Sequence, residues 1–173
     1  MRLWFGTGDS VAGTFGYLWY EDGGRPVIIG SGWTEDAAEL LDLVHPGLLE
    51  AAAGAPGTRS DPVIDEAVSA YSDGELTAVD AVTVRQRSGP FIESAWQALR
   101  DTPAGTPQTY TELAARAGRP AAVRAAAAAC AANATALFVP CHRIVRRDGG
   151  LGGFRYGLAA KRRLLAHEAS DGR

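Results

Sequence analysis

The sequence predicts a mixed α/β (α+β) protein in two parts, an α/β domain over residues 1–85 and a mostly helical domain over residues 86–173. Three observations predict this division. Strand-type stretches alternate with turn signals over the first 30 residues, helical periodicity dominates beyond residue 90, and the charge changes sign between the two parts. A chain of 173 residues is long enough for one full domain and a smaller companion.

The N-terminal part begins as a small antiparallel meander, in which "LWFGTG", "GTFGYLWY" and "RPVIIGSGW" are strand-type and "EDGG" is a turn. Helical periodicity follows over residues 35–53 and, after the Asp61 cap, over residues 62–71. The stretch "TAVDAVTVRQ" alternates as one more strand. This part has no cluster of potential ligands or nucleophiles, and we expect it to be structural.

The C-terminal part follows a boundary at "RQRSGP" and is mostly helical. "PFIESAWQALRD" predicts an amphipathic helix, "TYTELAARAG" a short helix closed by Gly118, and "RPAAVRAAAAACAAN" a helix with Pro120 in its first turn. Two short helices joined by a tight glycine-containing turn are typical of a helix-turn-helix. The strand "ALFVP", the hairpin "RRDGGLGGF", which resembles a wing, and the helix "YGLAAKRRLLAHE" complete this part.

The charge is distributed unevenly along the chain. The net charge is −3, but residues 1–85 carry 4 Lys and Arg against 14 Asp and Glu, and residues 86–173 carry 13 against 6. The resulting charges, −10 and +7, indicate that the C-terminal part meets a polyanion. Alternatively, the two parts attract each other, because charge balance alone does not locate a binding face.

The N-terminus and the cysteines bear on the cellular compartment. "MRLWFGTGDS" lacks the apolar core of a secretory signal, and no apolar stretch is long enough to cross a bilayer. Cys130 and Cys141 do not form a disulfide framework. We therefore expect a cytoplasmic protein with free thiols and no membrane association.

The stretch "ALFVPCHRIVRR" carries the strongest chemical signal. It places Cys141 at the end of a predicted strand, directly before His142, with arginines at positions 143, 146 and 147. An electropositive setting favours the thiolate, which is the nucleophile. The alternative is a buried, inert cysteine. Glu168, near the C-terminus of the last helix, opposes the helix dipole, which makes sense if it accepts a hydrogen bond from His142 in a Cys–His–Glu relay.

The alanine run of residues 125–129 admits two interpretations. It either forms a core helix that crosses a neighbour closely, or a smooth face that enters a groove while Arg124 projects and fills the gap left by an extruded base. Cys130, inside this run, is interpreted as a packing residue. Tyr110 is either a half-buried anchor or a proton donor, and Asn133 either an ordinary helix cap or a tie for the loop that holds Cys141.

Several of these stretches together resemble one known family. "VPCHRIV", preceded by "TYTELA" and "RPAAVRAAAAACAAN" and followed by "DGGLGGFRYGLAAKRRLLAHE", resembles the O6-alkylguanine-DNA alkyltransferases, also called methylated-DNA–protein-cysteine methyltransferases. The resemblance runs almost continuously from about Phe91 to Glu168. Residues 1–75 are similar to the family's N-terminal domain only in length and in the order of strands and helices.

The resemblance implies a ribonuclease H-like N-terminal domain, a winged helix-turn-helix and single-turnover DNA repair. The turn motif is expected to enter the minor groove of double-stranded DNA, with Arg124 in place of the flipped alkylguanine. The DNA-contacting residues expected from the family are Arg124, Ala125, Ala126, Ala127 and Arg143.

The resemblance also implies a role for each residue near Cys141. His142, acting through a water and oriented by Glu168, deprotonates Cys141, while Tyr110 protonates the departing guanine and Asn133 supports the loop. The substrate pocket is expected to be lined by Gly152, Gly153, Phe154 and Arg155. We expect no cofactor and no obligate protein partner. The zinc of some members is not expected, because no cysteine precedes Cys130.

Two departures from the family keep a rival hypothesis open. Members commonly have glycine after the Arg-Ala-Val core of the groove helix and an Asn-Pro pair at its end, where this chain has "RAAAAA" and "NAT". Extra Cβ atoms are expected to weaken DNA binding, and loss of the proline to loosen the following loop. The rival is a lesion sensor or regulator that binds DNA without transferring a group. A cysteine hydrolase is disfavoured, because nothing in the sequence indicates an oxyanion hole.

Overall fold

The computed structural model describes residues 1–170, and the chain divides into two compact units. The first unit contains residues 1–87 together with residues 134–138, and the second contains residues 88–133 and the chain from residue 139. The predicted C-terminal domain extends to residue 173, so its last three residues lie outside the described part. Within residues 1–170, no helix is both long and apolar enough to cross a membrane.

The first unit is built on a five-stranded sheet in the order β4-β1-β2-β3-β5. The three central strands form the predicted antiparallel meander, and the two short edge strands pair in parallel with it. The turn between β2 and β3 uses Gly23 and Gly24 at positive φ, a conformation that glycine adopts without strain. The strands are β1 (Trp4–Ser10), β2 (Gly13–Asp22), β3 (Arg25–Gly32), β4 (Gly57–Thr58) and β5 (Thr83–Val84).

Three helices pack beside this sheet: α1 (Ala37–Leu41), α2 (Pro46–Leu49) and α3 (Pro62–Ser72). The prediction of one helix over residues 35–53 is wrong, because Pro46 has no N–H to continue a helix and starts a new one, α2. Helix α3 begins as predicted at Asp61, whose carboxylate accepts from the N–H groups of the first turn. The predicted strand at residues 77–86 begins instead with a 3-10 helix, Ala78–Ala81, and only the two residues of β5 form a strand.

The second unit is mostly helical. Helix α5 begins with a capping box in which Thr109 and Glu112 satisfy each other's backbone N–H groups. The next helix, α6, begins at Val123, so Pro120 lies before the helix and not in its first turn as predicted. The elements are α4 (Pro90–Arg100), α5 (Tyr110–Arg116), α6 (Val123–Ala131), α7 (Leu158–Ser170) and the parallel strands β6 (Gln108–Thr109) and β7 (Ile144–Val145).

Two predicted strand features are absent from the described second half of the chain. "ALFVP" is buried but irregular, with Leu137 at a positive φ of 73°. It is held to the first unit by backbone hydrogen bonds between Ser31 and residues 134 and 136. The wing is not a hairpin of strands: residues 146–150 form a turn in which Arg146 N–H donates to Gly150 O at 2.8 Å.

The predicted fold class, a mixed α/β unit followed by a mostly helical one, is confirmed.

Candidate active site

Cys141 begins a single 3-10 turn, Cys141–Arg143, directly after Pro140. Its backbone N–H donates to Val139 O at 2.9 Å, and Arg143 N–H donates to Pro140 O at 3.1 Å. The Cys141 side chain is partly exposed, whereas the two residues that follow it are buried. The turn therefore directs the imidazole and the guanidinium inward and leaves Cys141 less buried than either of them.

His142 and Glu168 form a buried pair, as expected from the sequence. His142 Nε2 lies 2.8 Å from Glu168 Oε1, and each side chain is 1 % exposed. Burial lowers the pKa of His142 despite the opposing carboxylate, so the ring is neutral at pH 7 and Nε2–H donates to Glu168. Nδ1 then carries the basic lone pair. It is buried and has no hydrogen-bond partner among residues 1–170.

Arg143 is not a DNA-contacting residue, contrary to the expectation from the family resemblance. It is only 4 % exposed, and its Nε and Nη2 donate to Glu168 at 3.0 and 2.9 Å. Its Nη1 donates to Thr102 O at 2.6 Å. Burial alone would raise the pKa of Glu168, but hydrogen bonds and charge from His142 and Arg143 lower it to about 2. Arg143, together with His142, therefore keeps the Glu168 carboxylate ionised.

The charges around the Cys141 sulfur differ from those the sequence suggested. Arg143 is committed to Glu168, and the exposed Arg146 pairs with Asp148 at 3.0 Å. The positive charges that act on the thiol come instead from Lys161 and Arg155. Burial nevertheless raises the pKa of Cys141, so the resting group is a thiol and not the thiolate that the electropositive sequence setting suggested. Such a thiol needs a base.

Asn133 ties down the loop before Cys141. It is 3 % exposed, its Nδ2 donates to Val139 O at 2.7 Å, and its side chain hydrogen-bonds the thiol.

The residue after Asn133 is alanine, where the family commonly has proline. Ala134 N–H, which a proline lacks, donates to Gln86 Oε1 at 2.7 Å. This bond fixes the segment that loss of the proline was expected to loosen.

Tyr110 lines an open pocket of about 520 Å³, and Cys141 is not among the residues that line it. The pocket includes Gly152 and Gly153, as expected, and also Ala127, Arg146 and Leu158. Gly152 has φ +73°, and a Cβ there would lie 2.8 Å from the Tyr110 hydroxyl, so only glycine allows this approach. Burial raises the pKa of Tyr110, an effect increased by the nearby thiols Cys130 and Cys141, and its hydroxyl stays protonated.

Phe154 and Arg155 do not line this pocket, contrary to expectation. Phe154 stacks edge-on against Tyr156 with ring centroids 5.8 Å apart. Arg155 Nη2 donates to Ala131 O at 2.7 Å, which holds the glycine-rich loop against the end of α6. Phe154 and Arg155 therefore stabilise the glycine-rich loop and do not form the wall of this pocket.

Helix α6 presents one face to solvent and one to the protein core. Arg124 is exposed together with Ala127, Ala128 and Ala131, which follow it at helical spacing. Ala125 is half-buried, and Ala126 is fully buried, so the expectation that Ala126 contacts DNA is wrong. The buried face approaches α4, where Trp96 Nε1 donates to Ala129 O at 2.9 Å. The core-helix interpretation is confirmed for the buried face, and the groove-entering interpretation stays a prediction for the exposed face.

Sequence reasoning missed Lys161. Its side chain is 0 % exposed, and Nζ donates to Ile144 O at 2.6 Å. In the sequence it precedes Arg162 and Arg163, which are exposed, and so looks like part of a solvated basic run. The spacing of Lys161 to Leu164 and Glu168 places all three on the buried face of α7. This spacing was the sequence signal that could have identified Lys161 as buried.

Residues 1–170 contain no group of three or more His, Cys, Asp or Glu suited to a metal ion.

Comparison with known proteins links this geometry to one family. The DNA-binding domain of 6-O-methylguanine DNA methyltransferase matches residues 90–170. The methylated-DNA–protein-cysteine methyltransferase of Salmonella typhimurium is 40% identical over 124 residues, which cover 72% of this chain and 70% of that protein. The bifunctional transcriptional activator/DNA repair enzyme Ada of Escherichia coli is 49% identical over 85 residues, 49% of this chain but only 24% of Ada.

Solved structures show the same likeness over nearly the whole chain. The O6-methylguanine methyltransferase of Mycobacterium tuberculosis matches with a TM-score of 0.74 and 30% identity, covering 99% of this chain and 96% of that one. The same protein solved in complex with DNA matches with a TM-score of 0.65 and 28% identity, covering 96% and 93%. The likeness thus extends to the first unit, where the sequence resemblance was weak. The chain belongs to the methylated-DNA–protein-cysteine methyltransferase family.

Proposed function

We propose that this chain repairs DNA by transferring an alkyl group from O6-alkylguanine to the sulfur of Cys141, once per protein molecule. The observation that carries the proposal is the buried His142–Glu168 pair, whose histidine directly follows the partly buried Cys141 in a single turn. Because Nε2 is committed to the carboxylate, the basic atom of the ring is Nδ1, which has no other partner among the described residues.

Activation of the thiol is the first step. Since burial raises the pKa of Cys141, deprotonation at neutral pH needs a base. His142 Nδ1 accepts the thiol proton, directly or through a water molecule. The imidazolium that forms is stabilised by Glu168, whose pKa of about 2 keeps it ionised. Asn133 stabilises the sulfur anion with a hydrogen bond.

The transfer step forms a carbon–sulfur bond and breaks the bond between O6 of guanine and the alkyl carbon. The electron pair of the broken bond passes to the guanine, which takes a proton from the Tyr110 hydroxyl. Burial raises the pKa of that hydroxyl, so it holds its proton until negative charge develops on the base. The product is a thioether, which has no carbonyl for water to attack, so the protein reacts once. The reaction consumes a free thiol, and we place it in the reducing cytoplasm.

The second unit is the proposed DNA-binding part. We propose that α5 and α6 enter the minor groove and that Arg124 fills the place of the alkylguanine as this base turns out of the helix. Support comes from the exposure of Arg124, from the small exposed alanines along the same face of α6, and from the +7 charge of residues 86–173. A relative solved in complex with DNA supports the binding of DNA itself.

A lesion count against protein concentration tests the proposed function. With a molar excess of duplex that carries one O6-methylguanine, we expect the number of lesions removed to equal the number of protein molecules and then to stop. Cys141→Ser should remove none, while Cys130→Ser, a matched loss of the second thiol, should behave as the wild type. Binding without removal would instead indicate a lesion sensor, and continued turnover would indicate a hydrolase.

A further inference from the structure

We propose that Lys161 is the buried counter-charge of the Cys141 thiolate and so sets how readily the alkyl acceptor forms at neutral pH. This inference rests on the proposed function and adds a positioning residue to its site. It follows from the burial of Lys161, from its hydrogen bonding and from the groups that surround it.

The first step is that the Lys161 ammonium is buried without an anion. Its side chain is 0 % exposed, and its one hydrogen bond among the described residues goes to the neutral carbonyl of Ile144. The carboxylate of Glu168 is already occupied by His142 and Arg143. No ion pair within residues 1–170 includes Lys161. A buried ammonium without an anion is costly, because desolvation is not compensated by charge pairing.

The second step identifies which anion can form beside it. The ionisable groups whose negative charge acts on Lys161 are the thiols of Cys141 and Cys130, and Lys161 in turn favours the thiolate form of both. The two thiols are not equivalent. Asn133 hydrogen-bonds Cys141 and the charge of Arg155 also lowers its pKa, whereas Cys130 has only Lys161 to oppose its burial. The anion therefore forms on Cys141.

The third step is that the fold holds Lys161 close to the turn Cys141–Arg143. Ile144 directly follows the turn Cys141–Arg143, so the bond from Nζ to Ile144 O anchors the ammonium beside that turn. Glu168 lies seven residues further along the same face of α7, about 10 Å along the helix axis. One helix face thus supplies a cation to the thiol and an anion to the imidazole.

Other titratable groups also face Cys141 and must be separated from Lys161 in any test. They are Tyr110 on α5, Cys130 on α6, Arg155 in the glycine-rich loop and His142 in the same turn. Burial keeps Tyr110 protonated to high pH, and His142 titrates on the acid side of its ordinary value. Burial lowers the pKa of Lys161, so this ammonium also titrates on the alkaline side in the wild type, whereas in Lys161→Met an alkaline midpoint reports the Cys141 thiol alone.

The test measures how fast iodoacetamide alkylates Cys141 across the neutral and alkaline pH range, without DNA. Cys130→Ser serves as the background, so that one thiol reacts. Lys161→Met keeps the length of the side chain and removes its charge. We expect the midpoint of the rate profile to move to higher pH by about one unit or more, which makes the reaction about tenfold slower at neutral pH, with rates converging in alkali. Identical midpoints would overturn the proposal.

A second measurement covers the case in which Lys161→Met does not fold. In the wild-type protein, the Lys161 Nζ titration is followed by NMR before and after methylation of Cys141. A thioether carries no charge, so the pKa of Lys161 should fall once Cys141 is methylated. An unchanged titration would refute the pairing. Neither experiment uses alkylguanine, so each tests Lys161 independently of the proposed function. If Lys161→Met shifts the midpoint of the iodoacetamide profile but the wild-type protein leaves O6-methylguanine in DNA, the role of Lys161 stands and the proposed function is contradicted.

Discussion

Glu168→Gln is expected to slow methyl transfer to Cys141 by about 10²–10⁴-fold, the range contributed by general-base catalysis. An amide cannot stabilise the imidazolium of His142 as a carboxylate does. The change also leaves Arg143, which is 4 % exposed, without its counter-ion, and should reduce the free energy of unfolding by about 3–5 kcal/mol. Single-turnover kinetics and denaturant unfolding measure the two effects separately.

The pH dependence of the free energy of unfolding tests the direction of the Glu168 pKa shift with the same substitution. The pKa of Glu168 falls from 4.5 to about 2 on folding, so its contribution is present above pH 4.5 and is lost as the pH falls towards 2. The difference in stability between the wild type and Glu168→Gln should therefore shrink across that window. Glu66→Gln, at an exposed position on α3, is the matched control and should change neither rate nor stability. Wild-type kinetics in Glu168→Gln would exclude the relay.

Arg124→Ala is expected to slow repair of a duplex strongly while leaving the reaction with the free alkylated base close to normal. Arg124 is exposed on α6 whereas the His142–Glu168 pair is buried, so we expect its loss to remove base extrusion and not the chemistry. The measurement is the ratio of the two rate constants at one salt concentration, because phosphate contacts make duplex binding depend on salt. Arg25→Ala, an exposed arginine in the first unit, removes the same charge and should leave the ratio unchanged. Equal slowing of both reactions would refute the extrusion role.

The sequence predicted best where the signal is local. The turn at Gly23 and Gly24 needs only its own glycines, and the start of α3 needs only the Asp61 side chain and the backbone N–H groups next to it. The Cys141–His142 dipeptide was likewise recognisable, because neighbouring residues carry the signal. Each of these depends on contacts within a few residues, which the sequence displays directly.

The sequence predicted worst where a residue's partner lies far along the chain. Residues 136–140 are apolar and end at a proline, which indicates a strand, but Ala136 hydrogen-bonds Ser31 far along the chain and Leu137 has a positive φ. Arg143 and Lys161 are basic residues next to exposed arginines, and composition cannot distinguish a buried cation from a solvated one. Their partners, Glu168 for Arg143 and Ile144 for Lys161, are brought together only by the docking of α7.

The position of the transferred group tests the central claim most directly. The wild-type protein is incubated with a duplex that contains O6-methylguanine and is then digested, and the modified peptide is identified by mass spectrometry. The account predicts one methyl group per molecule, on the sulfur of Cys141, with Cys130 unmodified. A protein that binds the duplex with Cys141 unmodified, or that carries the methyl group on Cys130, would contradict it.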